Sequence, residues 1–191
     1  MSLFEFVMVM VSLIQALGVT LILRHIAGVV RYRNSLELDW VPLTWMALQF
    51  VATTWIWWSL WDFAEVAWTY PRFLYLLAGP TVQFVAISML VSTDISMPSA
   101  SLPANFAQIR APFLYLMIIL QVLVGWDGWL FGVESFWNSL RLLQVALIFV
   151  YMVGAISPKR IVQRGVVLTA AGLYAFGLFV LRYWPGAFGS N

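Results

Sequence analysis

Six apolar segments alternate with polar connectors along the chain. They cover residues 4–26, 41–61, 73–91, 112–126, 140–156 and 166–180. A helix that crosses a bilayer needs roughly 20 mainly apolar residues, so the short fourth segment is expected to begin earlier, near Phe106. The connectors hold most of the charged residues, together with Pro98 and Pro103. The pattern predicts an all-α, polytopic transmembrane helix bundle of about six spanning helices with short loops, forming a single domain over residues 1–191.

The composition places this bundle in a membrane. Apolar residues make up 63% of the chain and charged residues 9%, whereas a soluble domain has about 45–50% and about 25%. So few charges cannot cover a water-facing surface, which excludes a soluble enzyme. The net charge of +2 is too small to indicate a nucleic-acid partner. The expected partners are the lipid bilayer and a protein partner or a second copy of the chain.

The rare residue types limit the chemistry. The chain has no cysteine and one histidine, His25, so a cysteine zinc site or a bis-histidine haem site cannot form. Its one lysine, Lys159, lies in a polar connector, which argues against a Schiff base at membrane depth. No nucleophile beside a base, carboxylate pair at depth or phosphate-binding loop is visible. We therefore expect a non-enzymatic protein with no catalytic residues and no metal, and the sequence leaves a bound pigment, quinone or lipid open.

The basic residues predict the orientation. If the N-terminus faces outward, seven basic residues lie at inner ends and three at outer ends. The inner set is Arg24, Arg31, Arg33, Arg110, Lys159, Arg160 and Arg164, and the outer set is Arg72, Arg141 and Arg182. Because cytoplasmic loops carry an excess of lysine and arginine, both termini are expected outside. Arg141 would lie near Asp62, Asp127 or Glu134 there, and we expect an exposed ion pair worth at most about 1 kcal/mol.

The tryptophans are concentrated at the predicted outer face. Nine lie at or near it, and only Trp40 and Trp45 lie near the inner face. An interfacial aromatic belt is the ordinary explanation. Belts occupy both faces, however, so the asymmetry also suggests an outward-opening aromatic pocket, with Trp55, Trp58 and Phe84 as candidates.

Five of the six segments carry one glutamine at membrane depth. These are Gln15, Gln49, Gln83, Gln121 and Gln144, of which the first three fall near mid-membrane and the last two in the outer half. An unpaired carboxamide in hydrocarbon is costly, so these side chains should point inward and find partners. One interpretation is interhelical packing, where such bonds average about 0.6 kcal/mol. The other is a polar binding or transport path, suited to a neutral or zwitterionic solute because a carboxamide both donates and accepts.

Two further features concern the helix backbones. Gly79 and Pro80 lie in the middle of the third segment, and an interior proline removes a backbone hydrogen bond, so a kink is expected there. Gly165, Thr169 and Gly172 share a stripe of the last segment, and small residues at this spacing let helices approach closely. We expect this stripe to pack within the monomer, with packing between subunits as the alternative.

Several short motifs recur together in the first half of the chain, namely Phe4-Glu5-Phe6, Leu17-Gly18-Val19-Thr20, Ile26-Ala27, Trp40-Val41, Leu43, Trp45 and Trp57-Trp58. Through them residues 4–93 resemble a family of small, uncharacterised multi-pass bacterial inner-membrane proteins. Members often carry histidines where this chain has Leu21 and Pro42, so no role of those histidines transfers to it. The resemblance implies a bacterial inner-membrane location and no activity.

Three functions remain open at this point. The leading hypothesis is a structural or accessory subunit of a larger membrane assembly, because the loops are short and no catalytic arrangement is visible. The alternatives are a small channel or transporter whose path follows the glutamines, and a membrane sensor that signals through a partner.

Overall fold

The computed structural model describes residues 2–91, 101–133 and 139–179, and within these ranges the chain is almost entirely helical. The helices are α1 (Leu3–Tyr32), α2 (Trp40–Ser59), α3 (Tyr70–Leu90), α4 (Leu102–Leu130), α5 (Ser139–Ile156) and α6 (Arg160–Phe179), and a 3₁₀ turn at Leu60–Phe63 extends α2. The only β pairing among these residues is a single bridge between Glu37 and Ser101. The predicted all-α class is confirmed.

Four of the helices are long and apolar enough to cross a membrane, namely α1, α3, α4 and α6. Helix α2 is not among these four although it has 20 residues, because five of them are tryptophans, whose indole N–H makes them less apolar than aliphatic side chains. Helix α5 is not among them either, because it is shorter than the other helices. The helical content and these four helices agree with a membrane protein.

Local capping explains where several helices begin. The Ser2 hydroxyl accepts from the Glu5 backbone N–H and the Glu5 carboxylate accepts from the Ser2 N–H, forming a capping box at α1. The Asp39 carboxylate caps α2, and the Ser101 hydroxyl caps α4. Such side chains satisfy backbone N–H groups that have no partner within the helix.

The sequence pattern places the starts of α4 and α6 too late. Helix α4 begins before Pro112, as expected, but at Leu102 rather than near Phe106. Helix α6 begins at Arg160, six residues before the predicted start. The Ser101 hydroxyl caps α4, and the first turns of α6 carry Arg160, Gln163 and Arg164, so both helices extend beyond the apolar segments.

The helices form a ring. In space, α1 contacts α3, α3 contacts α4, α4 contacts α5 and α5 contacts α6, while α2 contacts α1, α3, α4 and α6. The main core includes Trp45 and Tyr151, both fully buried. A second cluster packs Val7 and Leu76 against Phe63 and Phe131. We call this second region the N-terminal end of the bundle, because α1 and α3 both begin there.

Candidate functional site

A cavity of about 110 Å³ opens at the N-terminal end of the bundle. Residues of α2, α4, α5 and α6 line it together with the 3₁₀ turn and Val133. Its polar lining consists of Ser59, Asp62, Gln121, Asp127, Arg141, Gln144 and Tyr174, and its apolar wall includes Ala52, Trp55, Ile56, Phe63 and Leu120. Acidic and basic side chains therefore line the same cavity.

Arg141 is the most buried charged group of this cavity. Its residue is only 8% exposed, and its Nη1 donates to Oε1 of Gln144 at 3.1 Å. A Cβ atom on Gly125 would lie 3.2 Å from that Nη1, so the glycine leaves the room that the guanidinium occupies. The expectation of an exposed ion pair is wrong: Arg141 shares a cavity with Asp62 and Asp127, and Glu134 lies outside the described residues.

A group of polar side chains lies beside the cavity. The Gln121 carboxamide lies near the hydroxyls of Tyr151 and Tyr174. The Tyr151 hydroxyl donates to the Tyr174 hydroxyl, 3.4 Å away. Since Gln121 and Tyr174 both line the cavity, this group forms part of its wall through α4, α5 and α6.

Trp55 separates the cavity from a shallow surface groove. The groove has a volume of about 330 Å³ and is lined by Val51, Thr54, Trp55, Trp58 and Leu178. The Trp55 ring stands edge-to-face on Tyr174, with centroids 6.0 Å apart. It also fits against Gly177, where a Cβ atom would lie 2.4 Å from the ring. The position of Trp55 therefore depends on Gly177 having no side chain.

The structure does not bring the three predicted aromatic residues into one pocket. Trp55 lines both the cavity and the groove, while Trp58 lines only the groove and is 56% exposed. Phe84 lies on α3, half-buried, and lines neither space.

The five predicted glutamines fall into two groups. Gln121 and Gln144 line the cavity, where Gln144 accepts from Arg141 and Gln121 lies near Tyr151 and Tyr174. The others lie deeper in the bundle, and we name them the glutamine triad: Gln15, Gln49 and Gln83, which are 6%, 1% and 1% exposed. Nε2 of Gln49 donates to Sδ of Met117 at 3.1 Å. The remaining side-chain oxygen of Gln49, and both polar atoms of Gln15 and of Gln83, have no partner.

The proline of α3 does not interrupt its helix. Gly79 and Pro80 are both buried, and α3 is helical from Tyr70 to Leu90. A Cβ atom on Gly79 would lie 4.0 Å from Leu120, an ordinary contact. These two residues thus lie on the side of α3 that packs against α4, one turn from Gln83.

The small-residue stripe of α6 faces away from the other helices of the bundle. Gly165, Thr169 and Gly172 are exposed, and a Cβ atom on either glycine would meet nothing within 4 Å. The expectation that this stripe packs within the monomer is wrong. The close approach within the monomer occurs instead at Gly177, on the opposite side of α6.

One buried glutamine was missed by the sequence analysis. Nε2 of Gln163 donates to the backbone oxygens of Gly154 and Ser157, at 2.8 and 2.7 Å. It satisfies carbonyl groups at the end of α5, where a helix leaves them without partners. Gln163 lies in the first turn of α6, and α5 and α6 form a helical hairpin. In such a hairpin the first turn of the second helix lies against the end of the first, so the position of Gln163 was the available signal.

The cavity brings together several kinds of polar and apolar side chain. It offers a cation, two carboxylates, two carboxamides and an aromatic wall in one place. Among the described residues, no three His, Asp or Glu side chains are grouped to hold a metal ion. Comparisons with protein-family models, with curated proteins and with solved structures give no match.

Proposed function

We propose that this protein is a non-enzymatic membrane protein that binds a small neutral or zwitterionic solute in the cavity and carries it across the membrane. In the proposed arrangement six helices span a bacterial inner membrane, both termini face the periplasm, and the cavity opens outward.

The cavity is the observation that carries this proposal. Buried charged groups are costly, and in membrane segments they mark solute or ion pathways by default. Arg141 supports the proposal because it is held inside the cavity with Gln144 and not at its rim. A solute carboxylate would be recognised by the guanidinium, and a solute ammonium by Asp62 or Asp127.

The aromatic wall supports binding of a solute with an apolar body. Trp55 and Phe63 line the same space as the charged groups. Ligand sites combine such apolar walls with a few placed polar groups, and aromatic faces attract cations.

Solute flux into proteoliposomes tests the proposal. The probes are glycine, glycine betaine, urea and acetamide, and the variants are Gln144→Leu and Arg160→Leu. Arg160→Leu is a control that removes a polar side chain far from the cavity, since the Arg160 side chain is 66% exposed and pairs with Asp39 at the other end of the bundle. We expect wild-type and Arg160→Leu vesicles to take up at least one probe, and Gln144→Leu to take it up more slowly. Flux equal to that of protein-free vesicles for all four probes contradicts the proposal.

The orientation has its own test, because the chain has no cysteine. Glu65 and Ser35 are exposed at opposite ends of the bundle. An impermeant maleimide added to intact cells should label Glu65→Cys, and should label Ser35→Cys only after lysis. The reverse pattern contradicts the proposed topology.

A second candidate, an accessory subunit, is favoured by the outward stripe of α6. Gly165 and Gly172 leave a flat strip on the surface, and flat strips of small residues allow close helix packing in lipid. Native mass spectrometry of the protein extracted from its own membrane should then show a stoichiometric partner that Gly165→Leu removes. A monomer in both samples contradicts the subunit function.

A further inference from the structure

The three members of the glutamine triad lie at one depth of the bundle. A Cβ atom on Gly18 would touch Ile87, which sets α1 against α3. Gln15 precedes Gly18 by three residues, and Gln83 precedes Ile87 by four. Because α1 and α3 run in the same direction and a helix rises about 1.5 Å per residue, these two glutamines are at nearly the same level.

The third glutamine joins this level through α4. The contact between Gly79 and Leu120 aligns the antiparallel helices α3 and α4. From that contact, Gln83 lies four residues deeper on α3 and Met117 three residues deeper on α4. Met117 accepts the hydrogen bond from Gln49, so Gln15, Gln83 and the residue that binds Gln49 lie within about 3 Å of one another along the bundle axis.

The triad offers several polar atoms without protein partners. Gln15 and Gln83 each leave a carbonyl oxygen and an amide nitrogen unpaired, and Gln49 leaves its oxygen unpaired. Each residue is more than nine-tenths buried. A ligand with both hydrogen-bond donors and acceptors would satisfy them, because carboxamides do both.

The triad lies one helical turn below the cavity. Ala52 and Leu120 line the cavity on α2 and α4. Gln49 precedes Ala52 by three residues, and Met117 precedes Leu120 by three. Gln49 therefore lies one turn below the cavity on α2, and its hydrogen-bond partner Met117 lies one turn below the cavity on α4.

Charged side chains are absent from the surroundings of the triad. Within one turn of Gln15, Gln49, Gln83 and Met117, helices α1 to α4 carry no acidic or basic residue. An ion at this depth would meet no opposite charge, and a lone charge at mid-membrane is costly. The cavity differs in this respect, since it holds Arg141, Asp62 and Asp127.

We propose that the glutamine triad is an inner binding site for an uncharged, hydrogen-bonding solute about the size of acetamide, entered from the cavity. This inference rests on the proposed function and narrows its solute class from neutral or zwitterionic to uncharged. The cavity admits solutes from water, and the triad accepts only those that carry no charge at its depth.

Single cysteines placed in this chain, which has none of its own, test the site. Three variants sample three positions: Ala52→Cys at the cavity, Met117→Cys beside the triad, and Ile119→Cys on the lipid-facing side of α4, where Ile119 is 46% exposed. The probes are neutral hydroxyethyl methanethiosulfonate and cationic trimethylammonioethyl methanethiosulfonate. Thiols react as thiolates, which hydrocarbon does not support, so a lipid-facing thiol stays unreactive.

We expect both reagents to label Ala52→Cys and only the neutral one to label Met117→Cys. The neutral reagent should label Met117→Cys at least about tenfold faster than Ile119→Cys, because only the former thiol can ionise in a polar site. Adding Gln83→Leu should slow the labelling of Met117→Cys, and adding Gln108→Leu, the same change at an exposed position of α4, should not. Ala86→Cys, one turn below Gln83 on α3, replaces Met117→Cys if that variant does not fold.

The outcomes separate the two proposals. If neither reagent labels Ala52→Cys, the cavity is closed to solute and the proposed function fails. If Ala52→Cys is labelled while Met117→Cys and Ala86→Cys react no faster than Ile119→Cys, the proposed function stands and the inner site is refuted. Labelling of Met117→Cys by the cationic reagent at the neutral rate refutes the selection for uncharged solutes.

Discussion

The cavity and the glutamine triad use the same residue type in opposite ways. In the cavity, Gln144 accepts from Arg141 and Gln121 lies near two tyrosine hydroxyls. In the triad, Gln15 and Gln83 have no partner for either polar atom. A partnered polar group holds helices together, whereas an unpartnered one in an apolar interior costs free energy.

This difference shows which glutamines serve packing and which call for a functional explanation. Native proteins place unsatisfied polar groups where function requires them and compensate elsewhere. The aromatic core of Trp45, Phe113 and Tyr151 begins one turn from Gln49 on α2 and one turn from Met117 on α4. Stability measurements can therefore separate the two groups, because substitutions should act with opposite sign.

The largest expected effect is the loss of the buried cation of the cavity. Arg141→Leu leaves Asp62 and Asp127 in the cavity without the guanidinium, and removing one partner of a buried charge cluster costs about 3 kcal/mol or more. We expect the free energy of unfolding, measured by detergent titration, to fall by that amount. In the double variant Arg141→Leu, Asp127→Leu, part of the loss should be recovered, and a double variant less stable than the single one would argue against charge as the cause.

A smaller loss is expected where α6 touches Trp55. Gly177→Ala places a methyl group where the Trp55 ring and Leu143 now lie, and such overpacking costs about 1–3 kcal/mol. Gly172→Ala is the matched control, because nothing lies within 4 Å of a Cβ atom there. Thermal unfolding followed by tryptophan fluorescence should show a lower midpoint for the first variant only, and equal midpoints would mean that Trp55 moves aside without cost.

The third prediction is a substitution that should raise the free energy of unfolding instead of lowering it. Gln83→Leu removes two unpartnered polar atoms from the core, and we expect it to raise the free energy of unfolding by about 1 kcal/mol. Gln163→Leu, the same substitution, removes two hydrogen bonds to the end of α5 and should lower it by about 2 kcal/mol. Detergent titration of both variants is the measurement, and a destabilised Gln83→Leu would mean that this glutamine has a protein partner.

The sequence predicted the helices better than the site. Hydrophobic segments located all six helices because apolar length is a local property. The burial of Arg141 could not be predicted, since it depends on the space left by Gly125 on another helix. The division of the five glutamines likewise depends on tyrosines of α5 and α6 that lie far from Gln121 in the chain.

The starts of α4 and α6 show a further limit. The sequence predicts a start near Phe106 for α4, which begins four residues earlier, at Leu102, and a start at Val166 for α6, which begins at Arg160. A hydropathy pattern locates the apolar part of a helix and does not locate the less apolar turns that precede it.

The smallest effect is expected where one partner of a charge pair is exposed, at the end of the bundle opposite the cavity. Arg160 pairs with Asp39 at 3.4 Å, and the Arg160 side chain is 66% exposed although that of Asp39 is only 10% exposed. Because water solvates the guanidinium, we expect a contribution in the range of surface pairs, about 0.2–1 kcal/mol. Asp39 also caps α2 through the Val41 N–H, and asparagine caps as well as aspartate. Asp39→Asn should therefore change the free energy of unfolding by less than about 0.5 kcal/mol, and Asp39→Ala should lower it by about 1 kcal/mol through loss of the cap. If Asp39→Asn lowered the free energy of unfolding as much as Arg141→Leu does, burial of the arginine would not explain how the charges at the two ends of the bundle differ in their contribution to stability.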